Sequence, residues 1–470
     1  MKDIVQSFKL PASKSISNRI LLIRALCEYY NKSNKFSIEN LAECDDTNRM
    51  LSVLKSFFLN NNINNVSTNS INKEYVDKMQ YYDINHAGTA MRFLTAFLSI
   101  VEGQFHLNGS SRMQIRPIKI LVDALNSIGA NIRYAKNEGY PPLIIKGCNL
   151  EGGEIDVKSS VSSQYISSLM MIAPYMKKGL TINLVGGIVS SPYIIMTYKI
   201  MEQMEAKLSL YYNDKIDSKE FTELNTKNKI IKKIKIHPIP YLRESENSLK
   251  SKYDIKKCGS AIQLDKQRLS LKIESDWSAA SYFYEYLLIR GHGKLKLDNL
   301  YSNSIQGDSK QIEYWQYLGI TTTFQENSII IEKKFKSKDF LTLDFTEMPD
   351  IALSFIVACC LNKVKFTFTG LQTLSIKECD RINAITNEMK KLGYILLNEG
   401  LGVLSWGGDL LNDNKKAIDT NPITIETYDD HRMAMSLAPA KMKFPNLIIK
   451  DPEVVAKSFP AFWEQTKTLF

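Results

Sequence analysis

The sequence predicts an α/β protein of two domains, each built from three repeats of one small α/β unit with buried helices. Three observations predict it. A short, strongly apolar helix begins six times just after small, polar or charged residues, at Lys14, Gly88, Ser162, Asp276, Pro349 and Asp430. These starts lie 74, 74, 114, 73 and 81 residues apart. Each is followed by a more amphipathic helix, opening near Asp46, Pro117, Pro192, Asp308, Asp380 and Lys457, at spacings of 71, 75, 116, 72 and 77. Short β-like runs separate the helices: PPLIIKG from Pro141, LTINLVGG from Leu180, RLSLKIES from Arg268, VKFTFTG from Val364 and NLIIKDP from Asn446. Two independent series that agree on one period are an internal repeat with one long insertion. A period this long holds a whole α/β unit rather than one turn of a solenoid.

The six units divide most simply three and three. That places residues 13–272 in an N-terminal domain and residues 1–12 with 273–470 in a C-terminal domain. The insertion, about residues 212–257, is rich in Lys, Asn and Ser and poorly patterned, so it reads as solvated strand and loop material. In each unit the helix that is apolar nearly all round should be buried, and its amphipathic partner should lie outside. Helix N-termini carry free N–H groups and partial positive charge, which attract anions. Three buried helices per domain would turn two clusters of such termini toward an interdomain cleft.

Each start carries its own chemistry. LPASKSISNR puts Lys14, Ser15 and Arg19 at the first, a good phosphate or carboxylate site, although a serine cap with solvated cations is the plainer reading. NHAGTAMR brings Gly88 and Thr89 to the second, where glycine permits close backbone approach or simply a tight turn. SSRMQIRP adds Arg112 and Arg116 just before an amphipathic helix, anion binders or ordinary surface residues. In SSVSSQY, which contains Ser162, Ser163 and Gln164, the hydroxyls exceed what one cap needs and suit a phosphate or polyol. VSSPY adds Ser190 and Tyr193, with serine–proline at a helix opening as common capping chemistry. EMPD and IKECDR mix acids with bases. Asp350 is favoured by a helix dipole, while Lys377, Glu378 and Arg381 would let a carboxylate carry protons without metal, or would form an exposed ion-paired turn. Arg432, in YDDHRMA, falls on the sixth buried helix, where an unpaired charge is costly and an anion partner is favoured. Lys457, in DPEVVAKSFP, closes the series.

Composition bounds the rest. The 470 residues are 44% hydrophobic and 23% charged, as in globular proteins with an ample core. No apolar run approaches a membrane span of about 18 residues, and the N-terminus shows no apolar segment of a signal peptide. Seven cysteines with neither CxxC nor metal spacing read as reduced thiols of a cytoplasmic protein, and Cys359 and Cys360 read as packing residues. A net charge of +10 suits nucleic acid or a small polyanion, but the abundant Lys, Asn, Ile and Tyr also look like a compositional bias. No zinc, RNP or KH pattern supports nucleic acid.

Taken in order from Leu10 to Pro460, these motifs resemble those of the enolpyruvyl transferases, and among them the EPSP synthases. The resemblance implies the enolpyruvyl transferase fold, an inside-out α/β barrel in each domain, with substrates in the cleft. It implies transfer of the enolpyruvyl group of phosphoenolpyruvate to the 5-hydroxyl of shikimate 3-phosphate, with no metal or cofactor, in a cytoplasmic monomer that is a target of glyphosate. Carried over by position, Lys14, Ser15, Arg19, Ser162, Ser163, Gln164, Ser190, Tyr193, Asp350 and Lys377 are implied binders of shikimate 3-phosphate. Lys14, Gly88, Arg112, Gln164, Arg381, Arg432 and Lys457 are implied contacts to phosphoenolpyruvate. Asp350, Glu378 and Lys14 are the implied proton carriers. Ala12, His86, Phe93, Thr373 and Trp277 depart from the family's usual residues. The related transferase acting on UDP-N-acetylglucosamine is the alternative, but its usual loop cysteine has no counterpart in Ser110–Pro117, and DDHRMA favours the EPSP synthases.

Overall fold

The computed structural model describes residues 5–31, 36–61, 78–158, 162–186, 191–212, 215–216, 230–242, 263–264, 270–411 and 422–469. The chain forms two compact units. One comprises Lys14–Leu41 and Asp45–Ile273; the other comprises Met1–Ser13, Ala42–Cys44 and Glu274–Phe470.

The N-terminal unit holds α1 (Lys14–Asn31), α2 (Asp45–Asn60), α3 (Gly88–Ile100), α4 (Lys119–Ser127), α5 (Ser163–Ile172) and α6 (Ser191–Gln203). Helices α3 and α5 bury nearly every side chain, all but Thr89 of α3 and Gln164 of α5, and α1 is buried mainly from Ile16 to Cys27. The strands form a four-stranded sheet in the order Met79–Asp83, Gly103–Asn108, Leu143–Gly147, Asn131–Tyr134. A five-stranded sheet runs Lys215–Ile216, Leu208–Tyr212, Ile231–Ile236, Leu180–Val185, Gly153–Lys158. A third pairs Ser270–Lys272 with Gln263–Leu264 and Ser37–Glu39.

The insertion expected at 212–257 is in part a piece of this core. Ile231–Ile236 lies inside the five-stranded sheet, antiparallel to both neighbours, with Ile231, Ile234 and Ile236 buried. The strand character agrees with the sequence reading but the solvation does not: the lysine-rich spelling IKKIKI hides that its isoleucines are buried in the sheet. Most of the remaining insertion lies outside the described residues.

The C-terminal unit holds α7 (Trp277–Arg290), α8 (Gln311–Tyr317), α9 (Ala352–Leu361), α10 (Arg381–Lys391), α11 (His431–Leu437) and α12 (Phe462–Thr466). All ten residues of α9 are buried, Cys359 and Cys360 among them. The sixth amphipathic helix begins at Phe462 rather than near Lys457, which instead ends a 3-10 turn opened by Pro452. The proline, lacking an N–H, starts that turn readily. Four-stranded sheets run Gln6–Phe8, Lys294–Asp298, Ser328–Lys333, Ile320–Gln325 and Phe340–Asp344, Lys365–Thr369, Val403–Trp406, Leu397–Gly400. Ile423–Ile425 pairs with Leu447–Ile449.

In four places the chain runs strand, buried helix, parallel strand, around α3, α5, α9 and α11. Each such helix therefore starts just beyond the C-terminal end of a strand, so its free N–H groups lie at a sheet edge rather than inside the core. One buried acid stands apart from this plan. Glu285 of α7 has no solvent exposure and meets no cation among the described residues. Burial pushes its carboxyl well above the usual range, offset in small part by Ser354. No helix of the described residues is long and apolar enough to cross a membrane.

Candidate functional site

The helix starts of the N-terminal unit are joined by polar side chains. Lys14, the first residue of α1, sets its ammonium 3.0 Å from Asp46 Oδ2 at the start of α2. Arg19, one turn on, is 2% exposed. Its Nε donates to Thr197 Oγ1 of α6 at 2.7 Å, and its terminal nitrogens donate to the Ser15 carbonyl at 2.8 Å and to Ser167 Oγ of α5 at 3.1 Å. The rings of Phe93 and Tyr193 lie 5.5 and 5.8 Å from its guanidinium carbon. It has no carboxylate partner among the described residues, and burial pulls its pKa down to about 10. Arg19 thus ties three helices together beside the partly exposed Ser15.

The start of α5 is set by Ser162, whose hydroxyl accepts the Gln164 N–H, as the serine-rich spelling predicts. Ser163 is buried, and Gln164 Nε2 donates to Thr89 Oγ1 of α3 at 3.2 Å. Ser190 and the first serines of SSVSSQY lie outside the described residues.

Gly88 opens α3 without backbone strain, and what it faces is specific. A Cβ placed there would lie 2.7 Å from Arg116 Nη1 and 3.1 Å from Arg116 Cζ and Nη2. The glycine therefore makes room for a guanidinium. Arg92 braces the same place, donating to the Gly88 carbonyl at 3.0 Å and the Pro117 carbonyl at 3.1 Å. Arg112 is exposed at the head of a 3-10 turn, Met113–Ile115. The sequence offers Arg116, with Arg112, as an anion binder or a surface residue, but does not place it against Gly88. The signal was the proline after it, which fixes where the loop turns into helix.

The C-terminal unit gathers its predicted residues into one cluster of charges. Arg381, at the start of α10, is 1% exposed. Its Nε lies 2.7 Å from Asp430 Oδ2, one terminal nitrogen 3.0 Å from Asp350 Oδ1 and the other 2.8 Å from Glu378 Oε2. Glu378 Oε1 accepts from the nearly buried Lys457 ammonium at 2.8 Å. Lys377 reaches Asp350 Oδ1 at 3.3 Å, and Arg432 reaches Asp350 Oδ2 at 3.4 Å. Burial would raise the Asp350 carboxyl, but Arg432, Lys377 and Arg381 outweigh it and hold it well below the usual carboxylate range. Two further acids complete the set. Asp430, fully buried, caps α11 through the Arg432 N–H at 2.9 Å while bonding Arg381. Asp308, at the turn before α8, accepts from Ser278 Oγ. Burial, with Asp350 next in effect, pushes Asp308 up to about 7. The sequence marks Asp430 only as the start of the sixth apolar helix, which it caps; its second bond needs Arg381, brought from 49 positions away.

A cavity of about 450 Å³ in the same unit is lined by Gly291, Lys333, Phe335, Lys338 and Lys363. It lies at the C-terminal ends of α7 and α9, where Lys333 donates to the Leu318 carbonyl at 2.8 Å. Lys333 thereby satisfies the carbonyl that closes α8. The clustered acids and bases are at the opposite, N-terminal ends of those helices.

Chemically, each unit offers cations held by buried anchors, suited to phosphates and carboxylates. The C-terminal unit adds carboxylates able to accept protons. The family described as EPSP synthase (3-phosphoshikimate 1-carboxyvinyltransferase) matches residues 1–224 and 249–466. A Bacteroides fragilis protein named 3-phosphoshikimate 1-carboxyvinyltransferase is 40% identical over 465 residues, covering 99% of this chain and 95% of that protein. One of the same name from Aliivibrio salmonicida is 31% identical over 470 residues, covering 98% of this chain and 96% of that protein. An EPSP synthase structure from Acinetobacter baumannii superimposes with a TM-score of 0.65 at 17% identity over 99% of this chain and 96% of that one, a likeness of fold.

Proposed function

The chain belongs to the EPSP synthase family, and on that premise we propose that it transfers the enolpyruvyl group of phosphoenolpyruvate to the 5-hydroxyl of shikimate 3-phosphate, releasing phosphate. This is a step of the shikimate pathway to aromatic amino acids. The observation that carries the reading is the match over nearly the whole chain to proteins of that name. The side chains supply the chemistry it asks for.

Both substrates are polyanions. Lys14, Ser15, Arg19, Ser162, Ser163, Gln164, Ser190 and Tyr193, with Asp350 and Lys377, are the proposed binders of shikimate 3-phosphate. Lys14, Gly88, Arg112, Gln164, Arg381, Arg432 and Lys457 are proposed for phosphoenolpyruvate, and Arg116, packed on Gly88, joins them.

In the forward step the 5-oxygen bonds to C2 of phosphoenolpyruvate, the hydroxyl proton passes to a base, and the methylene carbon gains a proton. The resulting methyl group then loses a proton, the double bond reforms, and the bond from C2 to the phosphate oxygen breaks. Asp350 is the proposed base at the hydroxyl. Three cations make it a weak base. A substrate anion drawing on Arg432 and Lys377 shares their field and returns basicity to it. Glu378, between the cations of Lys457 and Arg381, and Lys14 are the proposed carriers for the methylene carbon.

The test is phosphate release from phosphoenolpyruvate with and without shikimate 3-phosphate, and with UDP-N-acetylglucosamine in its place. Release should require shikimate 3-phosphate. Release with the sugar nucleotide alone, or none at all, would overturn the reading.

A further inference from the structure

Arg432 is held on two sides. One terminal nitrogen donates to the Asp350 carbonyl at 3.3 Å; the other lies 3.4 Å from Asp350 Oδ2 and 3.4 Å from Ser278 Oγ. Ser278 stands in the first turn of α7 and is buried. Its one hydroxyl hydrogen goes to Asp308 Oδ2, leaving its lone pairs for Arg432.

Asp308 is the unexpected member. It is 5% exposed and forms no ion pair among the described residues. A buried carboxyl without a cation costs stability. Capping does not account for it, because no side chain caps its turn, Gly307–Lys310. Its side-chain bond runs instead to Ser278, 30 positions away in sequence. The charged groups acting on it are Asp350, Arg432 and Asp276, the last of which caps α7 through the Ser278 N–H at 2.7 Å.

We propose that Asp308 is a positioning residue for Arg432, acting through the Ser278 hydroxyl. An ionised carboxylate can only accept a hydrogen bond. It therefore forces the Ser278 hydrogen toward itself and turns the oxygen's lone pairs to the guanidinium. The arrangement Arg432–Ser278–Asp308 fixes where that guanidinium meets an anion, and chained hydrogen bonds reinforce one another. An amide at position 308 would keep the shape but could also donate, so the direction of the serine hydroxyl would no longer be set. This inference rests on the proposed phosphoenolpyruvate role of Arg432.

The experiment uses full-length wild type, Asp308→Asn, Ser278→Ala, Ser278→Thr and the double variant Asp308→Asn/Ser278→Ala, with steady-state kinetics at pH 6 and pH 8 and thermal unfolding of each. At pH 8, Asp308→Asn and Ser278→Ala should each raise KM for phosphoenolpyruvate by about 10–150-fold, the scale of one hydrogen bond to a charged group. KM for shikimate 3-phosphate and kcat should stay within about threefold, because the perturbed group is Arg432 alone. Ser278→Thr keeps the hydroxyl and should stay near wild type. The double variant should be no worse than the worse single one, since both act along one chain. At pH 6, below the value of about 7 for Asp308, the gap between wild type and Asp308→Asn should narrow, because a protonated carboxyl can also donate. Unchanged KM values, additive losses, or a fall in all parameters together with the unfolding temperature would each overturn the positioning role. Wild type lacking the activity would instead overturn the functional reading.

Discussion

Replacing Gly88 by alanine adds one methyl group against a named partner, so its effect can be worked out. The new Cβ would meet Arg116 Nη1 at 2.7 Å, while ordinary contact begins near 3.4 Å. The guanidinium must then withdraw by about 0.7 Å, the difference between those two distances. It can, because it is the far end of a flexible side chain, and Gly88 has a backbone that alanine adopts freely. The expected result is a folded enzyme with a displaced arginine. A hydrogen bond to a charged group is worth about 1.5–3 kcal/mol, and losing about half of that costs roughly 3–10-fold in affinity. KM for phosphoenolpyruvate should rise by that factor, with kcat changing less. Glyphosate, implied by the family resemblance as a slightly longer occupant of the same site, should lose more, since a packed site tolerates overfilling poorly. The assay is phosphate release at varied phosphoenolpyruvate, with and without glyphosate. It should be repeated in an Arg116→Ala background, where Gly88→Ala should add little, because the group it displaces is gone. Equal effects in both backgrounds, or no change in KM and inhibition, would show that Gly88 does not act through Arg116.

Three further outcomes follow from particular contacts. Glu378→Gln keeps shape but removes the acid between Lys457 and Arg381; kcat should fall roughly 10²–10⁴-fold with a much smaller change in KM, and near-normal turnover would remove Glu378 from proton transfer. Arg19→Lys keeps the charge but cannot reach Thr197, Ser167 and the Ser15 carbonyl together; a loss of about 1–3 kcal/mol should appear in denaturant unfolding, and an unmoved midpoint would refute the strut. Glu285 is held protonated by burial, so its folded pKa lies above the unfolded one. Stability from such a group is full below the unfolded value, about 4.3, and is lost as pH rises. Glu285→Gln should therefore raise the unfolding temperature more at pH 8 than at pH 4.5, and an equal shift at both would contradict the buried acid's role.

The repeat was legible in the chain because each buried helix must be apolar nearly all round and must open on a polar start. Those two demands are local, and α1, α3, α5, α7, α9 and α11 begin at or within a few residues of the positions where the spelling puts them. Candidate site residues were legible for a related reason. Helix starts are where backbone donors are free, so Lys14, Gly88, Gln164, Asp350, Arg381 and Arg432 stood out by position as well as by type. The burial of Ile231–Ile236 was not legible, since its three lysines signal solvent whether or not the isoleucines among them find a sheet. Nor could the sequence decide which charges satisfy one another. Arg381 shares Asp430, Asp350 and Glu378, Gly88 makes room for Arg116 rather than Arg112, and Asp308 speaks to Arg432 through Ser278. Electrostatic and hydrogen-bond partners are set by distances of a few ångströms between residues tens of positions apart. Local pattern fixes which residues stand at a helix start; only packing fixes what each of them faces.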